Sequence, residues 1–220
     1  MSKLTKRQQN IINLSKKLPV TVDVGCDHGY IGVQLLLDQT TDFLIATDIS
    51  APSLEKTKKL LEENNLIKKS STRVGDGLQV IAPSEKIDQV IIAGMGGKEI
   101  MDILEKYPNK KTVSHWIFQP MKEVSHLRDY LQKNNLKILH DMVVSERKKY
   151  YHIITAEYGK YKLSPLERDF GAIQKDRNKD YFEWIKQKQK KVQKILENLP
   201  KNNEKIAHFE QCLKNIEKIK

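Results

Sequence analysis

Long apolar runs are absent from these 220 residues, and cysteine is scarce at two. No stretch approaches the ~20 consecutive apolar residues that a membrane-spanning helix requires, so no membrane partner is expected. The segment Met1–Lys17 is polar and basic and lacks the apolar core of an export signal, which makes the cytoplasm the expected compartment. Cys26 and Cys212 lie far apart and outside any CxxC or CxxH pattern. That disfavours both a disulfide framework and a structural zinc site, and no metal is expected. Negative charge is also short, with 28 Asp+Glu against 39 Lys+Arg and a formal net charge of +11. Such a surface attracts polyanions, because neutralising phosphates releases condensed counterions. Lysine also serves solubility, so charge suggests nucleic acid without establishing it.

The chain has room for one α/β domain of about 150 residues and an appendage. Leu4 to Leu18 carries apolar residues on a helical period, with Pro19 as its stop. Short apolar runs then alternate with helical stretches, at 20–24, 43–48, 71–74, 88–92 and 115–118. This alternation predicts a parallel sheet wound with helices. The runs 137–145 and 150–158 are separated only by polar residues, which predicts an antiparallel hairpin. Five parallel strands closed by a hairpin give the strand count expected of a Rossmann-like class I methyltransferase fold, with a seven-stranded, mostly parallel sheet. A catalytic domain is therefore expected over residues 1–159. From 160 to 220 the pattern is helical, with apolar residues mostly three, four or seven apart, as in an antiparallel coiled-coil hairpin. This segment holds 16 Lys+Arg and 9 Asp+Glu, so it carries +7 of the excess charge. It reads as an RNA-binding domain or as a dimerisation device; a monomer is the expected state.

The densest signal is Asp23-Val24-Gly25-Cys26-Asp27-His28-Gly29-Tyr30, at the end of the first strand. Glycines there let the backbone turn sharply and approach a ligand beyond the strand ends. A dinucleotide fold would use the tighter GxGxxG loop to cradle a pyrophosphate. Here Gly25 and Gly29 are four apart, and Asp23 and Asp27 would repel a pyrophosphate. The ammonium and sulfonium of S-adenosylmethionine tolerate carboxylates. Asp48, followed by Ile49, ends the second strand and can accept both hydroxyls of a ribose. Asp76, before Gly77, follows the third strand and can accept from an adenine amino group. Three acidic residues at the ends of successive strands point to an adenosine cofactor, S-adenosylmethionine.

The Asp-Pro-Pro-aromatic segment common among enzymes that methylate exocyclic amines is missing after the fourth strand. Ala93-Gly94-Met95-Gly96-Gly97 stands there instead. That loop reads either as a close-packed turn or as an open floor for an acceptor that already carries a lone pair, such as a ring nitrogen. Transfer would then need in-line positioning and a field that favours a cationic product. Asp27, Met95, Gln119 and Pro120 are the candidates for that work, and Cys26 is an unfavourable nucleophile inside a cofactor turn.

Together these segments resemble the bacterial tRNA (adenine-22-N1)-methyltransferases. The resemblance covers nearly the whole chain: Leu4-Thr5-Lys6-Arg7, the Asp23–Tyr30 loop, Gly75-Asp76-Gly77-Leu78, Ile92–Gly97, Phe118-Gln119-Pro120, and a hairpin with Glu146 and Tyr150-Tyr151. Cys26 and Gly29 stand where Ser and Ala are the commoner residues of that family. The resemblance implies a Rossmann-like catalytic domain, a C-terminal coiled coil and a tRNA substrate. Arg7 and Tyr30 would then meet the target base, which must be unpaired or flipped. The alternatives are a methyltransferase of another RNA base or of a small molecule, and a non-catalytic cofactor-binding RNA-binding protein.

Overall fold

A computed structural model describes residues 4–200 and 202–219; the expected outer limits at 1 and 220 lie outside the described residues. Seven strands form one sheet: β1 (Leu18–Val24), β2 (Thr41–Asp48), β3 (Ser70–Val74), β4 (Gln89–Met95), β5 (His115–Pro120), β6 (Leu136–Glu146) and β7 (Lys149–Tyr158). Their order across the sheet is β3-β2-β1-β4-β5-β7-β6. The first five are parallel, and β7 runs antiparallel between β5 and β6. The expected seven-stranded, mostly parallel architecture is the one observed. Because β1 lies between β2 and β4, chain direction across the sheet reverses there. A crevice therefore opens beyond the carboxyl ends of β1 and β4.

Apolar residues on both faces of the strands explain why their runs lack polar alternation. On β4 and β5, Val90, Ile92, Trp116 and Phe118 enter one buried cluster, while Ile91 and Ile117 enter another with Ile11, Ile12 and Leu35. The second cluster is where α1 (Lys6–Leu14) and α2 (Tyr30–Leu37) cover the sheet. The first helix is shorter than its apolar pattern predicts. Thr5 caps it in a reciprocal box with Gln8, and Ser15 ends it. Lys16 then donates its N–H to Gln89 Oε1 at 2.9 Å, and Leu18 already pairs with Thr41. Strand pairing outcompetes another helical turn, so Pro19 lies inside β1 instead of stopping a helix.

The helices α3 (Ala51–Glu63), α4 (Gly97–Lys106) and α5 (Val124–Lys133) complete the covering layers, followed after β7 by α6 (Pro165–Phe170), α7 (Lys179–Asn198) and α8 (Ile206–Glu217). Ile216, near the end of α8, packs with Tyr181 and Ile185 near the start of α7, so the two helices form an antiparallel hairpin. Residues between 160 and 178 behave differently from the hairpin. Tyr161, Leu163, Ala172 and Ile173 pack on the main core of the sheet. Phe170 joins Val143 of β6 with Tyr181, Ile185 and Ile216 in a cluster that seats the hairpin on the sheet.

A buried ion pair reinforces that seat. Arg128 on α5 donates to both oxygens of Asp141 on β6, at 2.7 and 3.0 Å, with both side chains essentially inaccessible. Two further N–H groups reach the Arg168 carbonyl and His152 Nδ1, each at 3.0 Å. Asp141 also accepts the Ala172 N–H at 2.7 Å. Four of the five guanidinium N–H groups and both carboxylate oxygens are thus engaged, the kind of satisfaction that lets a buried charge pair be tolerated. Burial holds the His152 imidazole below its ordinary range, so the ring stays neutral and Nδ1 can accept from Arg128. No helix among the described residues is long and apolar enough to cross a membrane.

Candidate functional site

The carboxyl ends of β1 to β5 open into one cavity of about 770 Å³. The loop after β1 is shaped by Gly25 and Gly29, whose φ values of +66° and +70° lie in the left-handed region that disfavours other residues. A β-carbon on Gly25 would stand 2.1 Å from Met95 Cε, and one on Gly29 would stand 2.5 Å from Thr57. Conformation favours glycine at both positions; Thr57 adds a packing pressure at Gly29, whereas the Met95 methyl beside Gly25 is the free end of a flexible side chain. The loop after β4 splits between its two readings. A β-carbon on Gly97 would strike the Glu123 and Lys122 carbonyls at 2.8 and 2.9 Å, a packing demand. One on Gly94 would meet nothing within 4 Å, so that residue borders open space.

Carboxylates ring this space. Asp23 is almost wholly buried at the end of β1, and desolvation, with the nearby Asp48 charge adding to it, pushes its carboxyl up to about 7 despite a hydrogen bond from the Gly32 backbone. Asp48 accepts the Asp27 N–H at 3.2 Å and the Ser50 N–H at 2.8 Å, one on each oxygen, which fixes its plane. Asp27 lies in the left-handed region at φ +49° and pairs with His28 Nδ1 at 2.9 Å. Asp76 is held by Lys106 Nζ and Gln79 Nε2, each at 2.7 Å. Burial pushes the Cys26 thiol up to about 12, next to the acidic Asp23, so it is no thiolate nucleophile at neutral pH.

Gln119 lies fully buried at the end of β5. Its Nε2 donates to the Pro120 carbonyl at 3.1 Å, while Oε1 has no partner among the described residues. A buried acceptor left open at a cavity wall is suited to an incoming N–H. Arg7 reaches the same cavity from α1, its guanidinium 4.7 Å above the Tyr151 ring.

Of the residues singled out from the sequence, Arg7, Asp23, Gly25, Cys26, Asp27, Asp48, Ile49, Asp76, Gly77, Ala93, Gly94, Met95 and Gln119 line the cavity. His28, Gly29, Tyr30 and Pro120 do not. His28 stacks on Tyr30 with ring centres 5.5 Å apart, Gly29 turns against Thr57, and Pro120 is a buried strand residue paired with Met95. The lining also includes Gln8 and Ile11 of α1, Met121 after β5, and Glu99, Asp102, Ile103 and Lys106 of α4. The α4 residues stand three, four and seven apart on one helical face, a stripe present in the sequence but mixed in character and so unlike a core face.

Comparison with known proteins decides the family. Residues 21–220 match the family model described as TrmK: tRNA (adenine(22)-N(1))-methyltransferase. The chain belongs to that family. A tRNA (adenine(22)-N(1))-methyltransferase of Bacillus subtilis is 34% identical over 158 residues, which span 71% of this chain and 66% of that protein. The crystal structure of the B. subtilis enzyme TrmK superposes with a TM-score of 0.87 at 26% identity, over 100% of this chain and 99% of that one. M. capricolum TrmK, solved in complex with S-adenosyl-homocysteine, gives a TM-score of 0.88 at 27% identity over 98% and 96% of the two chains. Membership of this family makes the chain a methyltransferase that uses S-adenosylmethionine.

Proposed function

We propose that the protein transfers a methyl group from S-adenosylmethionine to N1 of adenine 22 in tRNA. The observation that carries the reading is the ring of carboxylates at the ends of β1, β2 and β3 around one cavity, in a chain of this family. A volume of about 770 Å³ suits a cofactor together with part of a base. The donor set fits the group as well. Asp48 would accept from the ribose hydroxyls, Asp76 from the adenine amino group, and Asp23 would face the ammonium. Gly25, Gly77, Ala93 and Gly94 would let the ligand approach the backbone, with Ile49 against its ring. Within the loop, Cys26, His28 and Gly29 shape the turn.

The bound cofactor supplies an electrophilic methyl group on a positively charged sulfur. Adenine N1 presents an in-plane lone pair and no proton, so the protein needs no general base before transfer. Its own work is to hold the base in line and to favour positive charge on the product. Asp27 would contribute that field, Gln119 Oε1 would accept from the exocyclic amine, and Met95 would pack against the reacting groups. Pro120 would act only by setting the backbone carbonyl on which Gln119 rests. Arg7 and Tyr30 would border the entering nucleotide, which must leave its stack because N1 lies on the pairing edge.

The domain division near residue 160 would make 160–178 the joint and the α7–α8 hairpin a basic arm for the folded RNA, held through phosphate and 2′-hydroxyl contacts. A monomer acting on tRNA in the cytoplasm completes the reading. The test is incubation with unmodified tRNA and S-adenosylmethionine, followed by mass spectrometry of mapped fragments. N1-methyladenosine at position 22 is expected, and its absence from every tRNA that can carry it would overturn the assignment. In Asp48→Ala, cofactor affinity should fall about 100-fold, the loss of two charge-assisted hydrogen bonds.

A further inference from the structure

We propose that the β6–β7 turn, together with Arg7 and Lys122, is a phosphate-gripping rim that holds tRNA at the mouth of the cavity; the proposal rests on the tRNA reading above. From His140 onward the two strands stay in register up to the pair Glu146 and Lys149, which leaves only Arg147 and Lys148 in the loop. Both have positive φ, +50° and +63°. Two-residue hairpin turns of this hand match the twist of their strands and favour Asn-Gly, because a β-carbon in the left-handed region is strained. Here the turn carries two long cations instead, with a third at Lys149. All three side chains are exposed. Local conformational preference is given up at this tip, and what it gains is display of charge.

Those charges are uncommitted. Among the described residues, Arg147, Lys148, Lys149, Lys122 and Arg7 make no ion pair, whereas Arg73, Lys106 and Lys133 on the same half of the molecule are paired with Glu85, Asp76 and Asp129. Their position is fixed by the chain on either side of the turn. Glu146 accepts the Arg7 N–H at 2.9 Å in the first turn of α1. The Arg7 guanidinium rests on Tyr151 and touches Met121 Sδ at 3.3 Å. Arg7 and Met121 both line the cavity, and the aliphatic part of Lys122 runs alongside Gly96 in the loop at its floor.

A cationic strip thus leads from the hairpin tip to the lip of the site. A nucleotide whose base enters the cavity must leave its flanking phosphates at that lip, where fixed cations would hold them without reading sequence. This gives the catalytic half its own grip on RNA, separate from the charge carried by residues 160–220.

The test replaces the turn by the residues its geometry prefers, Arg147→Asn with Lys148→Gly, and separately removes charge while keeping long side chains, Arg147→Gln with Lys148→Gln. The first variant should unfold at the same temperature as the parent or higher. Both should bind unmodified tRNA about tenfold more weakly at moderate salt, with the loss appearing in KM more than in kcat. The slope of log affinity against log salt should flatten by about 1 to 2. S-adenosylmethionine affinity should be unchanged. Parental tRNA affinity and salt slope in both variants would overturn the rim. Because binding is measured apart from turnover, a parent that binds tRNA but methylates none of it would sink the activity and still test the rim. A parent that does not bind tRNA would sink both.

Discussion

Asp23 holds a carboxyl at the end of β1 with its ordinary pKa pushed up to about 7, chiefly by burial. In the folded protein without ligand, the proton binds more tightly than in the unfolded chain. The stability this contributes is complete at low pH and is lost as pH rises through about 7. Asp23→Asn should therefore flatten the pH dependence of thermal unfolding between about pH 4 and 7, and an unchanged profile would contradict the assignment. A cationic ligand favours the ionised form, so its affinity for the parent should drop about tenfold per pH unit below 7, as read by calorimetric titration. The sequence showed Asp23 and the glycines beside it because a strand end, a charge and a turn residue fall within a few positions. It did not show that His28, Gly29, Tyr30 and Pro120 stand outside the cavity lining, since neighbours along a turn point in different directions.

The segment that leads into the hairpin of α7 and α8 is tied to the sheet through Arg128, Asp141 and the backbone at Arg168 and Ala172. Burial would raise the Asp141 carboxyl, but the Arg128 guanidinium outweighs it and holds the group below the ordinary carboxylate range. The stability it contributes is present above the ordinary carboxylate pKa and is lost as pH falls towards its depressed value. Arg128→Leu leaves that charge buried and unpaired, and should cost about 3 to 5 kcal/mol in denaturant unfolding. Adding Asp141→Leu should recover much of this, because an apolar pair replaces a stranded charge. A double variant as unstable as Arg128→Leu alone would overturn the stranded-charge account, because removing Asp141 would then relieve nothing. None of this was legible from spacing. Arg128 and Asp141 are ordinary polar positions in their segments, and only the packing of α5 on β6 makes them partners. The first helix was legible in kind but not in length, because its apolar period runs on past Leu14 while the backbone is already recruited to β1.

The whole molecule carries +11, and residues 160–220 hold +7 of it. Turnover of tRNA should therefore fall steeply with salt, kcat/KM declining linearly on a log–log plot, while binding of the small cofactor changes little. A flat salt response for tRNA would mean that the basic surfaces do not meet phosphates. The amino-acid sequence by itself determined the strand count, that five parallel strands precede a closing hairpin, and the acidic residue at the end of each of the first three strands. Those features are periodic or local, so neighbouring residues suffice to specify them. Tertiary structure alone decided that Gln8 and Ile11 of α1 and one face of α4 line the cavity, that the hairpin tip lies beside Arg7, and that Arg128 meets Asp141. Each of these depends on which surfaces two elements far apart in the chain bury against each other, and that choice is settled by the packing of the whole core.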